Sequence, residues 1–411
     1  MGSMRTRSAG GGGKGPRAAS RGSAPEGIDL GRLRRERLGR LQAAMRAHGA
    51  EACLFFNQGN VRYATGSSIM TVYSMSAFVR CALVPVEGAP ILFEHPGSMH
   101  LSRRIVEDVR PMRAWEWTDD PAGEAAGCMS EILGALRERG VTSKRLFVDA
   151  LGTSAYLALG REGVEVADPG RIVLDAREVK TPEEIRVMEH NAAIGMKMLG
   201  AFERAMEPGV RERELLAVIT DTLLREGGEY LITRACVSGP HTNPWSLEAG
   251  DRALQAGDLV FVDTDAVGYE GYFIDVSRTF LCGDAAATPA QRELYRIAHD
   301  WLSGATRALE VGITLRDLAE RMPRLPARFL PQRYEVMAHC SGLADEGPSI
   351  GYPQDMQPNG ARLLREGMVV CLEVYVGESG GLEGVKLEDQ VLVTPRGARV
   401  MIPYPFCAAL L

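Results

Sequence analysis

Leu and Met recur at helical spacing through LGRLRRERLGRLQAAMRAH, residues 30–48, and Gly49 ends the run, which predicts an amphipathic helix. Three short β-branched or aromatic segments follow, EACLFF, FVRCALVPV and APILFEH, joined by glycine-bearing stretches, and each reads as a strand. RLFVDA reads as a further strand and residues 152–160 as a short helix, so the alternation predicts an α/β unit ending near Asp175. A long helix is expected from VKTPEEIRVMEHNAAIGMKMLGAFERAM, where Thr181 caps, Pro182 occupies the first turn and Glu184 completes a capping box. The same signature recurs at Thr288-Pro289-Ala290-Gln291, and RERELLAVITDTLLREG supplies a helix between the two. Beyond residue 230 strands dominate: DLVFVDTDAV, GYFIDVSRTF, GMVVCLEVYV and GVKLEDQVLVT. Long helices around a curved antiparallel sheet make the second unit, residues 178–411, an α+β domain after a first domain at 28–177.

Acidic residues interrupt those apolar strands. Asp263 and Asp265 are two apart, so a pleated strand sends both to one face. Asp275 stands in the return strand, Glu373 breaks VVCLEVYV, and Glu388 breaks VKLEDQVLV. A buried bare carboxylate costs several kcal/mol or takes up a proton. Arg278 and Lys386 are available to neutralise some of the five, but two basic side chains cannot pair them all. Two divalent cations can. Oxygen donors with one imidazole suit iron, manganese, cobalt or zinc, and His339, between the apolar YEVMA and a glycine-bearing loop, is the candidate nitrogen ligand.

Composition narrows the class. The chain has 411 residues, 45% hydrophobic and 24% charged, with a formal charge of -6, which gives no electrostatic reason to expect nucleic acid or an anionic membrane as partner. Eight cysteines carry no CxxC pair, a spacing suited to a reducing compartment. Residues 1–27 are rich in Gly, Ser, Ala and Arg without an apolar run and are expected to be disordered. With no signal-like segment and no run of about 18 apolar residues, the expectation is a cytoplasmic protein.

The order Asp, Asp, His, Glu, Glu across strands resembles the methionine aminopeptidase, prolidase and creatinase superfamily. DRALQAGDLVFVDTD, GYEGYFIDVSRTF, MAHCSGL, LREGMVVCLEVYV and VKLEDQVLVT carry the resemblance, and REVKTPEEIRVMEHNAAIG is similar to that family's linker helix. It implies a pita-bread catalytic domain behind a creatinase-like N-terminal domain. Peptidases of the superfamily use two further histidines, and this sequence departs at both. Trp245 follows Pro244 where one belongs, and Glu346 stands seven residues after His339 where the other belongs. The usual Asp-x-Gly has become Asp263-Thr264-Asp265, and the span to Asp275 is one residue longer than in the peptidases.

Those departures match a non-peptidase branch. GPHTNPW, VDTDAVGYEGYFIDVSRTF, GLADEGPSIGYPQD and YATGSSIMTVYSMSAFVRCALVPVEG resemble the metal-dependent dimethylsulfoniopropionate lyases. The resemblance implies a homodimer with two divalent ions, iron in the usual description, that releases dimethyl sulfide and acrylate. It gives metal roles to Asp263, Asp265, Asp275, His339, Glu373 and Glu388, the catalytic base to Asp345 and substrate contact to Tyr334. Trp115, in RAWEW, matches an aromatic wall, and Trp245 is a further aromatic candidate for the sulfonium cation. An Xaa-Pro dipeptidase or aminopeptidase-P-like metallohydrolase is the first rival, and a binding protein on the same scaffold the second.

Overall fold

The computed structural model describes residues 24–75, 78–355 and 358–411. The expected disordered tail lies outside them except for residues 24–27, which form a turn closed by Ile28 N donating to the Pro25 carbonyl.

The first helix, Leu30–Ala47, is capped by the Asp29 carboxylate on Arg32 N and buries Leu33, Leu41, Ala44 and Met45. It packs near a mixed six-stranded sheet in the order β4-β3-β2-β1-β5-β6. Its strands are β1 (Ala52–Phe55), β2 (Cys81–Pro85), β3 (Ile91–Glu94), β4 (Asp108–Pro111), β5 (Arg145–Val148) and β6 (Glu165–Ala167). The helix Pro121–Glu138 covers this sheet with Ala125, Cys128, Met129, Ile132, Leu133 and Leu136. The sequence reading omits it, because Ala, Cys and three glycines make a weak periodic signal. The helix Gly170–Arg177 then leads into the second unit.

The capping box at Thr181 forms in both directions, Glu184 N to Thr181 Oγ1 and Thr181 N to the Glu184 carboxylate, and starts the helix Pro182–Ala205. An added Cβ at Gly195 would stand 2.7 Å from Ile274, so glycine lets this helix lie close on the sheet. The capping box at Thr288 likewise opens the helix Pro289–Ala308, which buries Tyr295, Ala298, Trp301, Leu302 and Ala305 against the same face. The helix Glu212–Arg225 packs beside the first of these.

The second sheet has nine strands, β12-β11-β13-β14-β10-β9-β7 in order, with β15 on β14 and β8 on β9. They are β7 (Tyr230–Leu231), β8 (Ala235–Ser238), β9 (Leu259–Val267), β10 (Phe273–Leu281), β11 (Ala338–Ser341), β12 (Asp345–Ile350), β13 (Val369–Gly377), β14 (Gly384–Thr394) and β15 (Gly397–Val400). Every pairing is antiparallel. One face of the four long strands meets the helices through Val260, Val262, Ile274, Val276, Leu387 and Val391. The period of two sends the acids to the other face.

Candidate metal centre

Register gathers those acids. Asp265 pairs with Asp275 and Asp263 with Ser277 across β9 and β10, Ser277 pairs with Glu388 across β10 and β14, and Glu373 pairs with Glu388 across β13 and β14. His339 joins from β11 beside Cys371 of β13. All six expected ligands line one cleft of about 320 Å³, together with Trp245, Tyr334 and Asp345.

Three carboxylate oxygens there, Asp275 Oδ2, Glu373 Oε1 and Glu388 Oε1, are buried without a hydrogen-bond partner. Each faces the same imidazole nitrogen: His339 Nε2 lies 3.3 Å from Glu373 Oε1, 3.6 Å from Asp275 Oδ2 and 3.9 Å from Glu388 Oε1. Ligands about 2.1 Å from a tetrahedral ion stand about 3.4 Å apart, so the spacing fits donors arranged around a cation. Orphaned buried carboxylates are costly without one. Two clusters of groups able to hold an ion share Asp275: Asp275, His339, Cys371 and Glu388 form one, and Asp265 and Asp275 with the nearby Asp345 form the other. This donor set, oxygens with one imidazole and one thiol, suits divalent transition metals.

Electrostatics agree. Burial, then Asp345 and Asp263, pushes the Asp265 carboxyl up to about 7. Burial, then Asp265, raises Asp275 well above the carboxylate range, and burial, then Asp275, does the same to Glu388. Burial opposes the charge of His339, yet Glu373, Glu388 and Asp345 lift it to about 10. Glu373 is the exception. Burial raises it, but Lys386 and then His339 bring it below its ordinary value.

Lys386 reaches Glu373 Oε2 at 2.8 Å and Asp263 Oδ2 at 3.0 Å, and Ser277 Oγ donates to Asp263 Oδ1 at 2.5 Å. Arg278, named with Lys386 as a neutraliser, points to the opposite face and pairs with Asp389 at 2.7 Å. That leaves one buried ammonium for the cluster, fewer cations than the sequence reading allowed.

The aromatic candidates divide. Trp245 and Tyr334 stand with centroids 4.5 Å apart in the wall of the cleft, and the Lys386 ammonium lies 4.3 Å from the Tyr334 centroid. One cation therefore already occupies Tyr334, which leaves Trp245 the freer surface. The structure does not bring Trp115 to this cleft. It is 3% exposed, stacked on Phe78 with centroids 5.6 Å apart inside the N-terminal core, so its expected place in the substrate wall of its own chain is corrected. Asp345 opens β12 opposite Ser341, with its side chain 54% exposed and Oδ1 3.9 Å from His339 Nδ1. Burial raises its carboxyl, and His339 partly offsets this.

Sequence reasoning missed Cys371 and Thr233. Cys371 is two residues before Glu373, so the alternation that found the acids also places its thiol on their face. Thr233 donates to Asp265 Oδ2 from a loop, and no sequence pattern points to it.

Residues 186–395 match Metallopeptidase family M24, and residues 37–179 match the Creatinase/Prolidase N-terminal domain. The chain is 33% identical over 394 residues to Dimethylsulfoniopropionate lyase DddP of Roseovarius nubinhibens, covering 93% of this chain and 88% of that protein. It is 29% identical over 235 residues to the Xaa-Pro dipeptidase of Pyrococcus furiosus, covering 56% of this chain and 64% of that protein. Among solved structures, the prolidase from Pyrococcus horikoshii OT3 superposes with a TM-score of 0.73 at 22% identity, over 90% of this chain and 99% of that one.

Proposed function

The chain belongs to metallopeptidase family M24, among its dimethylsulfoniopropionate lyases, and on that premise we propose that it cleaves dimethylsulfoniopropionate to dimethyl sulfide and acrylate. A creatinase-type N-terminal domain and a pita-bread domain form its two parts.

Asp263, Asp265, Asp275, His339, Glu373 and Glu388 would hold two divalent ions, iron or else zinc or manganese. Bound ions would stabilise the negative charge that grows on the substrate carboxylate. The chain's own groups supply the rest. Asp345 stands at the edge of the cleft with its side chain 54% exposed, and it would take the proton from the carbon beside the carboxylate; burial raises its carboxyl in the direction a base needs. As that proton leaves, its electron pair becomes the new carbon-carbon double bond and the carbon-sulfur bond breaks. Dimethyl sulfide departs neutral, so no general acid is required. Trp245 presents an aromatic face to the sulfonium, worth about 1–2 kcal/mol when desolvated. A homodimer in the cytoplasm completes the reading, and no helix among the described residues is long and apolar enough to cross a membrane.

The observation that carries the proposal is Asp345 beside the ligand cluster, with no histidine other than His339 among the residues lining the cleft. The Xaa-Pro hydrolase reading needs two further histidines. Trp245 occupies one of those positions, and Glu346, at the other, is tied up in ion pairs with Arg177 and Lys180. The test is Asp345→Asn, for which dimethyl sulfide release should fall about 10²–10⁴-fold with metal content unchanged. A variant that keeps its rate removes Asp345 from the role.

A further inference from the structure

Glu346 stands where the peptidases carry a histidine, yet it does not face the cleft. Consecutive residues of a strand point to opposite sides, so when Asp345 faces the cleft Glu346 faces the seam between the two domains. There its carboxylate accepts from Arg177 Nε at 3.0 Å, Arg177 Nη2 at 2.5 Å and Lys180 Nζ at 2.8 Å. Its Oε1 also accepts from Leu343 N at 2.8 Å, which pins the turn leading to Asp345. An added Cβ at Gly342 would lie 2.3 Å from that same oxygen, so the turn is built around the carboxylate. Burial opposes the charge, but Arg177 and Lys180 hold the carboxyl down to about 2.

The network continues into the N-terminal domain. Arg177 Nη1 donates to Asn60 Oδ1 at 2.6 Å, Asn60 Nδ2 to Asp149 Oδ2 at 2.9 Å, and Asp149 Oδ1 accepts from Phe56 N at 2.8 Å. Phe56 directly follows β1 and Asp149 directly follows β5, so the chain of bonds ends on neighbouring strands of a rigid sheet.

Asp345 needs an external hold. Its strand is the edge of the catalytic sheet, and the pairing with β11 is irregular between Ala338 and Cys340. Carboxylate oxygens of Asp265 and Asp275 lie within 4.8 Å of its own, so a small turn of its side chain changes which groups it meets. We infer that Glu346 is the positioning residue for Asp345: clamped by Arg177 and Lys180 and braced against the N-terminal sheet, it fixes the direction in which the base points. The inference rests on the lyase reading for what Asp345 does, and on geometry alone for how it is held. In this account the histidine position of a peptidase has been converted from a group that handles substrate to one that aims its neighbour.

The experiment uses the full-length, metal-loaded protein with Glu346→Gln, and Arg177→Gln as a second variant should the first fail to fold. Hydrogen exchange at the amides of residues 343–346 should quicken about tenfold, with the strands of the N-terminal sheet unchanged. The kcat for dimethyl sulfide release should fall about 10- to 100-fold at unchanged KM and metal content. In an Asp345→Asn background the same change should cost no further rate, since the group it aims is already gone. Unaltered exchange at 343–346 overturns the inference, as does a wild-type kcat in the folded variant or an equal loss in the Asp345→Asn background. Should the unmodified protein release no dimethyl sulfide, the lyase reading fails instead, and exchange alone decides whether Glu346 holds the turn.

Discussion

Asp265 and Asp275 sit directly opposite one another on β9 and β10, on the same face of the sheet, and Asp275 belongs to both groups of ligand atoms. The two positions are therefore unequal under substitution. Asp275→Asn should lower affinity for both ions, while Asp265→Asn should weaken one and leave the His339 group intact. Metal analysis after dialysis measures this: close to none retained for the first variant and about half the wild-type content for the second. Equal retention by the two variants contradicts the shared ligand.

Trp245 is the aromatic group whose face is least committed, since Lys386 already lies against Tyr334. Trp245→Ala should raise KM for the sulfonium substrate about 5- to 30-fold, the equivalent of about 1–2 kcal/mol, with a smaller effect on kcat. Trp115→Phe, a change inside the N-terminal core, should leave KM alone. Steady-state kinetics on the two variants separate a wall of the cleft from a core residue.

The pH dependence follows from Asp265 and His339. Burial and neighbouring acids raise Asp265 from 3.8 to about 7, so the metal-free folded protein binds more protons than the unfolded chain across that window. Its stability should fall as pH rises from 4 to 7. His339, lifted from 6.5 to about 10, contributes stability that is whole below 6.5 and lost as pH rises through 10, so it adds to the same trend. Metal binding needs the deprotonated carboxylate and should strengthen over the same range. Thermal melts from about pH 5 to 8 should show Tm falling for metal-stripped protein and rising for loaded protein. Parallel trends would contradict the assignment of Asp265 to the centre.

The buried Lys386 ammonium lies against Asp263 and Glu373. Lys386→Met should destabilise metal-free protein by about 3 kcal/mol, because two buried carboxylates lose their counter-charge. Added divalent metal should recover much of the loss. Calorimetry with and without metal tests this, and an identical penalty in both states would show that the ammonium acts only as packing.

Five of the six candidate ligands are legible to the sequence reading because an acid in a β-branched strand is anomalous on energetic grounds and alternation then assigns its face, whereas His339 gains its role from the resemblance. Helix starts at Thr181 and Thr288 were equally plain, since a capping box is a local signal. Its failures came from relations that local pattern does not carry. Arg278 and Lys386 look alike in sequence, yet β-register sends one to Asp389 and the other to the acids. Trp115 reads as a pocket aromatic by similarity, but its burial against Phe78 depends on how the N-terminal sheet closes. Cys371 shares the acids' face by the period of two, but a thiol is at home in an apolar strand and raises no energetic anomaly.

An elimination at this cluster, with Asp345 as base, leaves products that no peptidase makes. The most direct measurement incubates the purified, metal-loaded protein with dimethylsulfoniopropionate and, separately, with Xaa-Pro dipeptides. Headspace dimethyl sulfide with stoichiometric acrylate, and no proline release, is the predicted result. Proline release without dimethyl sulfide would contradict the account.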